Sequence, residues 1–254
     1  MEKGKLEAAL ADLVCNSPEN VITELRMLRL YDPPLVGIAA ADDPCWEQLR
    51  EPAVVGPRHR LPSDWLPGAQ SVISYFLPFT EAVRRSNDGE GKPSLEWLYG
   101  RYEGERFNNI VRTVMIDWFQ QRGGQALAPA LDPHFTVSDL RSNWSERHVA
   151  FMAGLGTFCL NRSLITQAGS AGRFGSVIVD RRLEVTPRPY QAFDEYCSRC
   201  GACIARCPAQ AITEAGKDQG RCARFVNGTL ELFRPRYGCG KCQTAVPCEA
   251  GIPG

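Results

Sequence analysis

Apolar positions recur with two different periods along the chain, and each period predicts a different kind of element. Residues 2–15 read as a helix. Residues 35–40, Leu-Val-Gly-Ile-Ala-Ala, read as a buried strand, and Asp42 or Asp43 is placed to cap a short helix through Trp46 and Leu49. Residues 72–77, Val-Ile-Ser-Tyr-Phe-Leu, predict a second strand, stopped by Pro78. Leu95, Leu98, Tyr102, Ile110, Val111, Val114, Met115, Trp118 and Phe119 keep helical spacing, and Gly123-Gly124 ends that helix. Residues 125–130 and 134–137 read as short strands. Asn143-Trp-Ser-Glu146 matches a capping box that opens a helix to about Ala153. Residues 174–180 predict a further strand.

The pattern changes near residue 187. Thr186-Pro-Arg-Pro-Tyr190 is stiff and non-helical. Three cysteines are scattered before it, whereas cysteine is dense after it. A boundary is expected there, between an α+β domain at 1–187 and a small cysteine-rich module at 188–254, too small to be held by a hydrophobic core alone.

The chain has 254 residues and no net formal charge, so a globally basic nucleic-acid binder is not indicated. Arginines cluster locally (Arg173, Arg181, Arg182 and Arg188; Arg221, Arg224, Arg234 and Arg236). They read either as solvated faces or as a docking surface for an acidic electron donor. No signal peptide opens the chain, and no apolar run approaches membrane-spanning length. With cysteines at metal-binding spacing, a reducing, cytoplasmic location is expected.

The chemistry is carried by Cys197-Ser-Arg-Cys200-Gly-Ala-Cys203-Ile-Ala-Arg-Cys207-Pro208. This is the C-x2-C-x2-C-x3-C-P run of two-cluster ferredoxins, whose fourth cysteine serves the other cluster. Cys222, Cys239, Cys242 and Cys248 follow, which completes the thiolates for two [4Fe–4S] clusters. The expected sets are Cys197, Cys200, Cys203 and Cys248 for the first, and Cys207, Cys222, Cys239 and Cys242 for the second. A zinc site would favour separated ligand pairs over this packed run. Two such clusters make a one-electron relay, and a relay needs a terminus. The segment before the cysteines is far larger than a plain ferredoxin requires, which points to an acceptor site there. No G-x-G-x-x-G follows a strand, so a Rossmann nicotinamide site has no support, and no D-x-H-x-x-G cobalamin box is present.

Residues 145–161, Ser-Glu-Arg-His-Val-Ala-Phe-Met-Ala-Gly-Leu-Gly-Thr-Phe-Cys-Leu-Asn, then Leu164-Ile-Thr166 and residues 169–175, resemble a segment of the epoxyqueuosine reductase family. The order of parts is similar too: this segment, a strand, the cysteine run, a lone cysteine and a late C-x2-C. The resemblance covers roughly residues 72–248. It implies a nitroreductase-like α+β domain cradling base-off cobalamin, followed by a two-cluster ferredoxin module that passes electrons to cobalt. It also implies kinship with cobalamin-dependent reductive dehalogenases, and an acidic proton donor near the segment, for which Asp139 and Glu146 are the candidates. Two departures argue against tRNA as the expected substrate. Arg101-Tyr-Glu-Gly104 is a residue short and is followed by Phe107-Asn108 rather than an aromatic-His pair, and no helical repeat domain follows. Cys159 stands where the family commonly has glycine.

Gly154, Gly156, Gly169 and Gly175, with Gly172, would let backbone approach a flat ring, or serve as plain turn residues between a helix and a strand. Asn161 and Ser170 are candidate hydrogen-bond donors to the cofactor, and Cys159 a candidate lining residue. His148 and Tyr102 are expected either near the cofactor or in packing roles. Glu146 is equally expected as a capping-box residue. Two functions follow. One is an iron–sulfur reductase with bound cobalamin (alternatively FMN), fed by ferredoxin or flavodoxin and acting on a small molecule or a modified base. The other is an electron-transfer protein that reduces a corrinoid or flavin on a partner protein.

Overall fold

The computed structural model describes residues 2–254. At its centre lies a four-stranded antiparallel sheet. Strands β1 (Leu35–Ala40), β2 (Ser71–Pro78), β3 (Ala126–Leu127) and β4 (Gly172–Val179) stand in the order β1-β2-β4-β3. The β2–β4 pairing runs the whole length of both strands, from Gly172 opposite Pro78 to Val179 opposite Ser71. All eight residues of β2 are buried, as expected of a strand covered on both faces.

The two-residue period sorts those side chains into two layers. Ile73, Tyr75 and Leu77 of β2 join Val177 and Val179 of β4 on one face. There they meet Leu6, Leu10 and Val14 of helix α1 (Glu2–Asn16) and Phe107, Val111, Met115 and Phe119 of helix α2 (Leu95–Gln120). Val72 and Ile178 turn to the other face, against Trp46, Trp65, Trp144 and helix α3 (Glu146–Met152). The three tryptophans pack on one another, Trp46 and Trp144 being stacked with centroids 5.7 Å apart. Such rings bury the largest apolar areas available to a core. Ser94 caps α2 by accepting from the Trp97 amide at 3.1 Å.

Strands at 35–40 and 71–78, the long helix and the strand at 172–179 match the sequence expectations. The short helix Cys45–Gln48 has Pro44 rather than an aspartate at its N-cap, and Asp43 one residue earlier accepts from the Cys45 amide at 2.9 Å. Other segments differ. The expected strand at 125–130 is two residues followed by a 3-10 turn at Pro129–Leu131. The strand expected at 134–137 is instead the hairpin Val137–Ser138 with Arg141–Ser142. The capping box does not form: Ser145 is the N-cap, and Asn143 binds Thr136 and His134 instead.

From Asp180 to Gly201 the chain carries no helix or strand. A short helix Ala202–Ala205 and helix α4 (Gln219–Phe233, capped by Asp218) follow. Helix α4 was not anticipated. A small apolar cluster of Cys203, Ile212 and Val246 supports this part of the chain. No helix among the described residues is long and apolar enough to cross a membrane.

Two thiol-lined cavities and their walls

The cysteines divide into two groups in space. One small cavity is lined by Cys197, Cys200, Cys203 and Cys248, together with Cys159, Asn161 and Arg199. A second cavity, of about 240 Å³, is lined by Cys207, Cys222, Cys239 and Cys242. Its other wall comes from the α+β part: Phe79, Trp97, Arg101, Arg147, Ser163, Gly172 and Arg173. Among the described residues no three His, Cys, Asp or Glu side chains converge tightly enough for a single metal ion; each set of thiols surrounds a space instead.

Electrostatics groups the thiols the same way. Burial pushes Cys203 up to about 11, with Cys248, Cys197 and Cys200 adding to the effect. Burial pushes Cys242 up to about 12, opposed by Lys217 and reinforced by Cys239, Cys222 and Cys207. Four thiols whose negative charges repel one another around a shared space are suited to a cationic iron core, which removes the penalty by binding the thiolates. The residues present therefore fit two [4Fe–4S] clusters.

The loops that carry the thiols are held by the α+β part. Asn87 is fully buried after helix Glu81–Ser86. Its amide donates to the Cys239 carbonyl at 3.1 Å, and its own carbonyl accepts from Lys241 Nζ at 3.0 Å and Thr244 Oγ1 at 3.1 Å. Gly240 between Cys239 and Cys242 has φ of 70°, and any Cβ there would collide with Trp97. Asn161 donates to the Cys242 carbonyl at 2.6 Å while lining the first cavity. It thus touches both sites.

The segment at 154–175 is a socket for the cysteine-bearing loops. The Ser170 amide donates to the Cys248 carbonyl at 2.9 Å, its hydroxyl lies 3.8 Å from Cys248 Sγ, and its carbonyl accepts from Gln243 at 2.6 Å. The glycines do not leave space for a ring. A Cβ would collide with the carbonyl of Pro187 at Gly154, of Ile165 at Gly156 and of Glu249 at Gly169, and with the Tyr75 hydroxyl at Gly175. Protein atoms already fill the room these glycines provide.

Cys159 lines the first cavity, beside the thiols. It is buried, donates to Asn161 Oδ1 at 3.1 Å, and pulls the Cys248 thiol down to about 7 through a hydrogen bond.

The remaining candidates lie elsewhere. Glu146 lines neither cavity. It accepts from Ser176 Oγ at 2.6 Å and pairs with the buried Arg112 at 3.3 Å, while burial raises its pKa against those partners. Its role is a buried ion-pair and hydrogen-bond network against the sheet, not a capping box. Asp139 is exposed at the hairpin tip, where it and Leu140 both take positive φ, 53° and 61°, as a two-residue primed turn requires. It binds Arg58 and Ser138 and reaches neither cavity. His148 binds Ser145 Oγ at 2.8 Å and packs on Phe158, and burial lowers its pKa to about 3. Tyr102 lies on the surface of α2. Cys15 and Cys45 are free thiols on helices, outside both cavities.

The cationic wall of the second cavity was missed. Arg101, Arg147, Arg173 and Lys217 arrive from four separate segments, so no local motif announces them.

Comparison with known proteins agrees with this architecture. A 4Fe-4S binding domain matches residues 191–213. The chain is 33% identical over 201 residues to an epoxyqueuosine reductase of Bacillus anthracis, covering 74% of this chain and 50% of the relative. It is 28% identical over 202 residues to that of Salmonella typhimurium, covering 73% and 50%. The chain thus spans about half the length of these curated relatives. It shares its fold with an epoxyqueuosine reductase crystallised with a modified tRNA-Tyr stem loop, at a TM-score of 0.55 and 19% identity over 99% of this chain and 67% of the other. The fold is also that of a reductive dehalogenase described in terms of B12-dependent dehalogenation, at a TM-score of 0.56 and 16% identity over 86% and 30%. In sequence the chain is epoxyqueuosine reductase-like, and in fold it is an α+β domain of that kind joined to a ferredoxin-like iron–sulfur motif.

Proposed function

We propose that this protein is an iron–sulfur reductase in which two [4Fe–4S] clusters relay single electrons toward the cavity between the cysteine-bearing loops and the sheet domain. The observation that carries this reading is the partition of eight thiols into two fourfold sets around separate spaces. Cys197, Cys200, Cys203 and Cys248 hold the first cluster. Cys207, Cys222, Cys239 and Cys242 hold the second. Residues 188–254 act as the cluster module and residues 1–187 as its socket. A [4Fe–4S] cluster supplies one-electron transfer at a potential set by charge, hydrogen bonding and exposure. The chain's own residues position the loops through Asn87, Asn161 and Ser170, and present Cys200 at the exposed surface. A ferredoxin or flavodoxin is the donor class that fits this entry point.

Neither thiol-lined cavity matches cobalamin as a resident acceptor. The second cavity, about 240 Å³ and shared with the thiols, is smaller than the roughly 300–1,000 Å³ pockets of drug-sized ligands, and a corrin is larger still. The glycine segment is filled by protein. The same limits apply to FMN, so no step is routed through either. Delivery of the electron to a small substrate, or to a corrinoid or flavin carried by a partner, agrees with the space available. The tRNA stem loop belongs to the relative crystallised with it.

Anaerobic reconstitution tests the relay. Iron and acid-labile sulfide are expected for two clusters per chain, with two interacting paramagnetic signals on full reduction. Iron for a single cluster, or a zinc-loaded protein without sulfide, overturns it. Titration with cob(II)alamin is expected to leave the corrinoid spectrum unchanged.

A further inference from the structure

The two cavities differ sharply in charge. The second is lined by Arg101, Arg147, Arg173 and Lys217 and by no carboxylate. Only Arg173 has an acidic partner at hand, Glu105 at 3.1 Å. Among the described residues no ion pair joins Arg101, Arg147 or Lys217 to a carboxylate. Arg147 has a main-chain partner, the Arg162 carbonyl at 2.9 Å. Arg101 lies over the Tyr237 ring at 4.6 Å, and its Nε has no acceptor. A fifth cation, Lys241, is 2% exposed within the Cys239–Cys242 loop. Arg101 and Lys217 are half-buried and Arg147 is exposed, while Lys241 is buried against the Asn87 carbonyl, so the positive charge of this wall is left for an anion in the cavity to answer. Four thiolates around an oxidised cubane carry a net double negative charge, which meets that need.

The first cavity has the opposite character. Arg199 is its one cationic lining residue, and Asp194 already neutralises it at 2.5 Å. Glu249, which follows Cys248, is likewise neutralised, by Arg84 at 3.0 Å, so the walls of this cavity carry little net charge. Cys200 is exposed here, whereas the second set is half-buried.

Resting on the two-cluster reading above, we infer that Arg101, Arg147, Lys217 and Lys241 hold the second cluster at a higher reduction potential than the first, so that the relay runs in one direction. Positive charge stabilises the reduced cluster, which carries one more negative charge than the oxidised one. In the transfer, one electron leaves the reduced first cluster, [4Fe–4S]+ becoming [4Fe–4S]2+, and enters the second, [4Fe–4S]2+ becoming [4Fe–4S]+. No proton moves. A one-electron donor protein restores the first cluster. The arginines act through the cluster as positioning charges, and electrons come to rest beside the cavity wall where an acceptor enters.

The test is an anaerobic redox titration of the reconstituted full chain, followed by electron paramagnetic resonance. Cys222→Ser and Cys248→Ser assign each signal to its site. Iron and sulfide are measured first. The wild type is expected to show two separated midpoints, the second cluster reducing first. Arg147→Gln and Lys217→Gln are each expected to lower the second midpoint alone, by about tenfold in the reduced-to-oxidised ratio at fixed potential, or about 59 mV. Arg147→Lys is expected to restore it, which separates charge from packing. Two clusters with coincident midpoints, or variants that move both midpoints equally or neither, overturn the inference and leave the two-cluster reading standing. Iron for fewer than two clusters overturns both.

Discussion

Four thiols close each cavity, yet the chain secures the two sites by different means. The first depends on a long return: Cys248 reaches Cys197, Cys200 and Cys203 because residues 245–249 lie across Gly169 and Ser170 of the socket. The second depends on a buried hub, Asn87, which ties Cys239, Lys241 and Thr244 to the connection before α2. One site is near the surface and poor in cations. The other is sandwiched against the sheet domain and rich in them. Identical ligand chemistry can therefore be tuned and anchored separately, provided the walls come from different parts of the chain.

Separate anchoring can be broken one site at a time. The largest effect is expected from the ligands themselves. Cys248→Ser should remove about half the iron and leave the second signal intact, and Cys222→Ser should do the reverse; loss of both clusters from either variant would contradict independent anchoring. Next, Gly169→Ala forces a Cβ into the Glu249 carbonyl at a φ of 79°. A destabilisation of roughly 1–3 kcal/mol is expected from the strained backbone alone, read as faster chelator-driven loss of the first cluster with the second retained. Asn87→Ala should show the mirror image. Removing a buried amide and leaving its partners unpaired costs about 1–3 kcal/mol for each stranded group, and the second cluster should become the labile one.

Two smaller effects sharpen the contrast. Cys159→Ala removes a polarisable thiol from the wall of the first cavity, and the polarity around cluster sulfurs sets the potential. A fall in the first midpoint without change in the second is expected by redox titration. Acidification should weaken the socket domain. Burial lowers His59 to about 4 and His148 to about 3, from an unfolded value near 6.5. Below pH 6.5 the unfolded chain binds the protons first, so stability is lost as pH falls from about 6.5 toward 4. The slope is at most about 1.4 kcal/mol per pH unit for each histidine. Chemical denaturation at pH 7.5 and pH 5 should show the loss, and His59→Phe should reduce it.

The strands at 35–40 and 71–78 and the helix at 95–120 were legible because their side chains are sorted by one sheet, so period and burial coincide. The cysteine run was legible because ligand spacing is local for Cys197, Cys200, Cys203 and Cys207, where the 4Fe-4S binding domain matches. Helix α4 escaped because Gly220 and Gly228 depress its local propensity, although Asp218 offered an N-cap signal. Glu146 misled because a capping-box spacing is indistinguishable from an acid awaiting Arg112, which lies on another helix. The glycines at 154–175 misled for a related reason. Their spacing says only that something comes close, and here the neighbour is the chain's own backbone at Pro187, Ile165 and Glu249. The cationic wall has no sequence pattern at all, since the fold alone brings Arg101, Arg147 and Lys217 together.

The docking of Cys248 onto the socket also bears on biogenesis. The first site cannot be enclosed until residue 248 has left the ribosome and the strand after Ser170 is in place to receive it. Iron delivered earlier would find three cysteines of an unfinished set. Closure of the first site on four thiolates is therefore coupled to the docking of residues 245–249 on Gly169 and Ser170, and so to the folding of the socket itself.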